Sequence, residues 1–288
     1  QPLYRPAQVA SLRQAHAQVE DAEALLQKDE QALVVRVGEA YFDVLLAEDQ
    51  LALVLAQKTA YTVQLEAAQK TYAAGRGTRT DVDEAQARLD MTLALELETR
   101  QNRDSTRHRL QTLVGGDAVG DLSALDTAAF SPQAPVPDSV DAWISRAEAT
   151  SPELLSLRAQ VEVAREEVEK ARAGHRPTLD AVAQWSRTSS DSVTSVQSRY
   201  DNRVIGLQLS VPLYGGGYVS STVRQAVSAQ TRAEEMLEAT RRDLAVRVRQ
   251  QFRGMTEGAA RILALEQAVR SAEQAVLSNQ KSFVAGIR

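Results

Sequence analysis

The sequence predicts a mainly α-helical chain with one β-hairpin, in which very long coiled-coil helices hold most of the residues. Three observations predict it. Apolar residues recur at heptad spacing from Leu12 to Ala73, with no proline and a single glycine, Gly38. Two segments, Thr178–Arg187 and Arg203–Leu213, alternate with the period of two that marks strands. The long heptad segment also occurs twice.

The first helix carries one column of Leu12, Val19, Leu26, Leu33, Ala40, Ala47, Val54, Tyr61 and Ala68. A second column, Val37, Val44, Leu51, Leu65 and Tyr72, is broken at Lys58. Two such columns make a coiled-coil seam. At ~1.5 Å per residue the helix is roughly 90 Å long, more than a compact globule of this size can contain. It stops at Ala73-Ala74-Gly75-Arg76-Gly77-Thr78, where Gly75 suits a left-handed C-cap. Thr78 or Thr80 suits the next N-cap, with Asp81 in the first turn, where its charge meets the helix dipole favourably. The second helix runs to about Val114, with Val82, Ala85, Leu89, Leu93, Leu97, Leu110 and Leu113 facing inward. Residues 12–113 are thus a helical hairpin with its tip at 74–80.

Gly115, Gly116, Gly120, Pro132, Pro135 and Pro137 break regular structure in 114–150, leaving room for a short helix around Trp143–Ala149. Ser151-Pro152-Glu153 reads as an N-cap and an N1 proline opening a helix over 151–175. The strand pair fills 178–213, around a Ser/Thr/Asp-rich loop at 188–202. Each strand has one largely apolar face, and Trp185, Tyr200 and Tyr214 lie near the strand ends. That pattern fits both a transmembrane β-barrel and an ordinary soluble hairpin. Gly215-Gly216-Gly217 has no Lys-Ser/Thr after it as a phosphate loop would, and reads as a strand-to-helix bend. The second long helix fills 217–288, with a column of Val248, Met255, Ile262, Val269, Val276 and Phe283.

The two long helices are copies. Arg13-Gln14-Ala15 repeats as Arg224-Gln225-Ala226, Val35-Arg36-Val37 as Val246-Arg247-Val248, and Ala74-Gly75 as Ala285-Gly286. Pro2-Leu3-Tyr4 repeats as Pro212-Leu213-Tyr214. Residues 1–4 are therefore expected to end a strand, and Gly286-Ile287-Arg288 to lead into another hairpin helix. The sequence reads as a fragment cut inside both repeats.

Composition narrows the function. Of 288 residues, 33 are Lys or Arg and 38 are Asp or Glu, a net charge of −5 that opposes general nucleic-acid binding. There is no cysteine, hence no disulfide, thiol nucleophile or Cys-based metal site. His16, His108 and His175 are scattered, no cluster with metal-ligand spacing appears, and no catalytic constellation, cofactor site or metal site is expected.

The pattern resembles the TolC-like outer membrane factors. The resemblance rests on Gln1-Pro2-Leu3-Tyr4, on Glu39-Ala40-Tyr41-Phe42-Asp43-Val44-Leu45, and on the tip Gly75-Arg76-Gly77-Thr78-Arg79-Thr80-Asp81-Val82. It continues in Ser151-Pro152-Glu153-Leu154 and Val211-Pro212-Leu213-Tyr214-Gly215-Gly216-Gly217, covering essentially the whole chain in order. It implies a homotrimeric duct in the Gram-negative outer membrane. Strands from three protomers would form one outer-membrane barrel, the long helices a periplasmic α-barrel, and 114–150 an equatorial belt. The tip wording resembles the type I secretion branch, whose partners are a periplasmic adaptor and an inner-membrane ABC transporter. A multidrug or metal efflux duct with a proton-driven pump shares the fold. A soluble coiled-coil scaffold is the reading from a different class, opposed by the strands, the glycine bend and the duplicated Pro-Leu-Tyr.

The resemblance also implies sites. Asp81 matches an acidic gate residue with Thr80 beside it, and three copies near one axis would favour cations and make closure pH-sensitive. Phe283 and Arg288 match an aromatic and an arginine of the second tip, although phenylalanine lacks the tyrosine hydroxyl of the family's latch. Gly75, Arg76, Gly77, Thr78, Arg79 and Gly286 are the expected adaptor-docking tips. Trp185, Tyr200 and Tyr214 are the expected aromatics at the interface with outer-membrane lipid.

Overall fold

Helix α1 (Pro6–Ala73) turns at residues 74–78 into α2 (Arg79–Val114), and both belong to a computed structural model of the chain. It describes residues 1–115, 120, 122–126, 133, 135–192 and 195–284, with backbone alone at 190–192, 195–198, 280 and 283–284. After α2 come α3 (Val140–Thr150), α4 (Pro152–Arg172), a 3-10 turn (Ala173–His175), β2 (Thr178–Ser192), β3 (Ser195–Ser210) and α5 (Tyr218–Val284). Strand β1 (Pro2–Tyr4) precedes them all. The chain divides into two units, 1–28 with 132–288, and 29–131.

In the first unit, α4 is the central helix. Ala10, Ala17 and Ala24 of α1 are buried, and α4 lies antiparallel to that part of α1. Gln14 donates to Glu167, Ser156 and Gln160 donate to Asp21, and Lys28 pairs with Glu153 at 3.5 Å. Alanine at heptad spacing lets the two helices approach closely. The larger residues of the expected seam, Leu12, Val19, Leu26 and Leu33, are instead exposed, Leu12 by 61% and Leu26 by 60%. On its other side α4 packs Val168 and Ala171 against Val223 and Ala226 of α5. Glu153 holds this end together, accepting from Arg247 of α5 at 2.6 Å as well as from Lys28.

The sheet has the order β1-β2-β3, both pairs antiparallel. The expected loop at 188–202 is mostly strand. Thr188 faces Tyr200, Ser189 faces Arg199, and pairing continues to Ser192 opposite Ser195. Serine and threonine offer the ladder the same backbone groups as any residue, so their polarity describes the surroundings and not the pairing. The expected strand end at Pro212-Leu213-Tyr214 is unpaired. Thr178, the first residue of β2, already faces Ser210, so nothing remains opposite 211–214. Gly216 and Gly217, at φ 57° and 81°, then turn the chain into α5.

In the second unit, Ala40 and Val44 of α1 form a core with Leu110 of α2, joined by Val37, Leu113 and Leu122. The rest of the α2 seam differs from the expected leucine column. Ala85 is buried as expected, but Leu93 and Leu97 are exposed, whereas Thr92, Glu96 and Thr99 are buried. Thr92 and Thr99 satisfy their hydroxyls on the carbonyls of Arg88 and Leu95. Polar side chains can therefore line this seam without unpaired atoms.

Candidate functional site: hairpin tip and strand-pair face

The tip is built from two opposed caps. At the end of α1, the Gly75 N–H donates to Tyr72 O at 2.9 Å and the Arg76 N–H to Thr71 O at 3.0 Å, with Gly75 at φ 69°. These are the paired bonds of a Schellman motif, which needs a left-handed residue at this position. At the start of α2, Thr78 Oγ1 accepts from Asp81 N at 3.2 Å and Asp81 Oδ2 accepts from Thr78 N at 2.9 Å, closing a capping box. Thr78, not Thr80, is the cap.

Gly77 fills the gap between the two motifs. A Cβ there would lie 3.2 Å from Tyr72 N. Arg76, Arg79 and Thr80 are exposed, and Arg79 pairs with Asp83 at 3.0 Å. The bond from the Thr78 backbone N–H, with a smaller share from its side chain, holds the Asp81 carboxyl below its ordinary 3.8. Asp81 is thus fully charged across neutral and mildly acidic pH. Phe283 lies in α5, while Gly286 and Arg288 fall outside the described residues.

Farther along the hairpin, Lys58 donates to Glu96 Oε2 at 2.8 Å, and Arg100 donates to the other oxygen of the same carboxylate at 2.5 Å. The Glu96 side chain is 8% exposed. The break in the apolar column at Lys58 therefore supplies a charge to a buried carboxylate. Lys58 and Glu96 lie equally far along the chain from Gly77, and that symmetry was the available signal for the pair.

The register of the strand pair sorts its side chains. Leu179 faces Leu209, Ala181 faces Leu207, Ala183 faces Ile205, Trp185 faces Arg203 and Arg187 faces Asp201. These share one face, and Ile205 is 91% exposed. Trp185 Nε1 donates to Asp201 Oδ1 at 3.3 Å, and Arg187 donates to both oxygens of Asp201 at 3.1 Å. Tyr200 lies on the opposite face, facing Thr188, and Tyr214 lies beyond the ladder. The sequence marks Trp185 by its place near a strand end, and its charged neighbours Arg187, Asp201 and Arg203 only through the alternation that puts them on its face. No helix among the described residues is long and apolar enough to cross a membrane, which does not bear on strands.

The sequence matches the family described as outer membrane efflux protein over residues 1–116 and 143–288. The chain belongs to that family. Among the chain's relatives is the alkaline protease secretion protein AprF of Pseudomonas aeruginosa, 37% identical over 289 residues, which are 100% of this chain and 60% of AprF. The outer membrane protein TolC of Vibrio cholerae is 33% identical over 291 residues, 100% of this chain and 66% of TolC. The chain thus spans less than two thirds of either relative. Among solved structures, the outer membrane protein VceC of Vibrio cholerae superposes with a TM-score of 0.75 at 18% identity, over 98% of this chain and 67% of VceC. That likeness establishes the fold. The resemblance to TolC-like outer membrane factors holds, and the protein is one of the outer membrane.

Proposed function

We propose that this chain builds part of the wall of a homotrimeric outer-membrane duct that passes polypeptides out of the cell in type I secretion. The observation that carries this reading is the 37% identity to a protease secretion protein along the whole chain. The strand pair supports it, since one face is apolar from Leu179 and Leu209 to Ala183 and Ile205 and is exposed at Leu209, Leu207, Ile205 and Ala183, as a barrel wall presents to lipid. The exposed heptad of Leu12, Val19, Leu26 and Leu33 supports it as well, because it offers α1 a second seam for a neighbouring helix. In this reading a periplasmic adaptor docks at Gly75–Arg79 and at Gly286, and an inner-membrane ABC transporter drives the cargo. The duct holds no cofactor and does no bond chemistry.

The test is reconstitution in a strain lacking its own duct. The full-length protein, supplied with an ABC exporter and its adaptor, should release a protease cargo into the medium and leave drug susceptibility unchanged. The family description favours a second reading, efflux beside a proton-driven pump. Restored drug resistance without protease release would replace the first reading by the second.

Asp81, Thr80, Phe283 and Arg288 form the periplasmic gate in this reading. Asp81 also belongs to the helix cap, and two variants separate the roles. Thr78→Ala should cost about 1 kcal/mol by removing the cap hydroxyl, yet leave ion selectivity in planar bilayers unaltered. Asp81→Asn should lower the preference for cations. Equal selectivity of Asp81→Asn and wild type would leave Asp81 as a cap alone.

A further inference from the structure

The strand-pair face that carries the apolar band also carries a basic cluster to which the duct assigns no role. Resting on the reading of this pair as barrel wall, we propose that Arg187 and Arg203 beside Trp185, with Arg199 one rung beyond Arg187 and Asp201, bind the phosphates of an outer-leaflet lipid.

The face changes character at one rung of the ladder. Up to Ala183 and Ile205 it is apolar, and from Trp185 and Arg203 onward it carries Arg187, Asp201 and, by alternation, Arg199. The Trp185 ring is 67% exposed and has two guanidinium groups near its face, with the Arg203 Cζ 5.7 Å and the Arg187 Cζ 5.9 Å from its centroid. An exposed tryptophan at the edge of an apolar band sits where headgroups begin. The indole face attracts both guanidiniums, and Asp201 fixes that of Arg187, so the charges are in place before any ligand arrives.

Charge decides the occupant. Among the side chains described on this face, Asp201 is the one carboxylate, and it is engaged by Arg187 and Trp185. Arg199 and Arg203 have no carboxylate partner among the described residues. Three guanidiniums against one carboxylate leave the cluster cationic, and guanidinium forks match phosphate oxygens in pairs. A free anion could use the same charge, but the apolar rung below favours a lipid. Ile205 and Leu207 point the same way as Arg203, at successive steps of about 7 Å, so an acyl chain can lie on them while its phosphate meets Arg203.

The experiment uses the full-length protein in detergent, with bound lipid counted by native mass spectrometry. The probes are diphosphorylated lipid A, the same lipid with its phosphates removed, and inorganic phosphate as competitor. Wild type should retain the phosphorylated lipid in preference to the phosphate-free one. The double variant Arg199→Gln, Arg203→Gln should bind it roughly tenfold or more weakly, as expected for the loss of charge-assisted hydrogen bonds. Inorganic phosphate at the lipid's concentration should not displace it. Equal retention by wild type and variant, equal retention of both lipids, or displacement by inorganic phosphate would each overturn the proposal. Recovery of both proteins in the outer-membrane fraction shows that the barrel reading stands whatever the lipid result. Absence of wild type from that fraction would remove the barrel reading and this proposal together.

Discussion

Replacing Leu154 with alanine should lower stability by about 2–5 kcal/mol, among the largest losses available to a single side chain here. Leu154 is 0% exposed, at the start of the helix that packs against both α1 and α5. The neighbouring Glu153 ties those same two helices through Lys28 and Arg247. That triad is half open to water, so it adds about 1 kcal/mol or less, and the buried leucine dominates. Truncation leaves a void that three rigid helices cannot collapse to fill. Leu154→Met keeps the volume and should cost less than about 1.5 kcal/mol. Thermal unfolding of the full-length protein, followed by circular dichroism, measures both variants. Equal midpoints for Leu154→Ala and wild type would mean that α4 is not the organising helix of this unit.

How much of this was readable from the amino acids depended on how local the cause was. The tip was readable in detail. A left-handed glycine and a Thr-x-x-Asp cap are decided within a few residues, so Gly75 and Asp81 fall where the sequence puts them, and Thr78 is one of the two caps it offers. The helix seams were readable only as stripes. A heptad column says that residues share a face and leaves open what covers it. Leu12 and Leu26 thus lie open while Ala17 and Ala24 are buried, and Leu93 and Leu97 of α2 yield the seam to Thr92, Glu96 and Thr99. The strand pair failed in the opposite direction. The polarity of Thr188–Asn202 suggests a loop, yet the backbone there pairs, because side-chain polarity does not report on main-chain hydrogen bonding. Followed two residues at a time through that stretch, the alternation leads from Trp185 to Arg187 and from Arg203 to Asp201.

Lys58→Met should destabilise the hairpin at pH 7, and the deficit should vanish in acid. In wild type the hydrogen bond from Lys58 comes first among the causes that hold the Glu96 carboxyl below its ordinary 4.5, with a smaller contribution from the charge of Arg100, and desolvation opposes both. A carboxyl whose folded value is depressed binds fewer protons than it does in the unfolded chain, so the stability it contributes rises with pH. That contribution is complete above about pH 4.5 and disappears as the pH falls through the lower folded value. The difference in thermal midpoint between wild type and Lys58→Met should therefore be full at pH 7 and shrink below pH 4.5. At neutral pH the single variant strands a buried charge with only Arg100 beside it, whereas the double variant Lys58→Met, Glu96→Met removes the charge and fills the seam with apolar atoms. The double variant should consequently be more stable than Lys58→Met alone. If it is less stable, the two side chains act independently and the ion pair does not hold the seam.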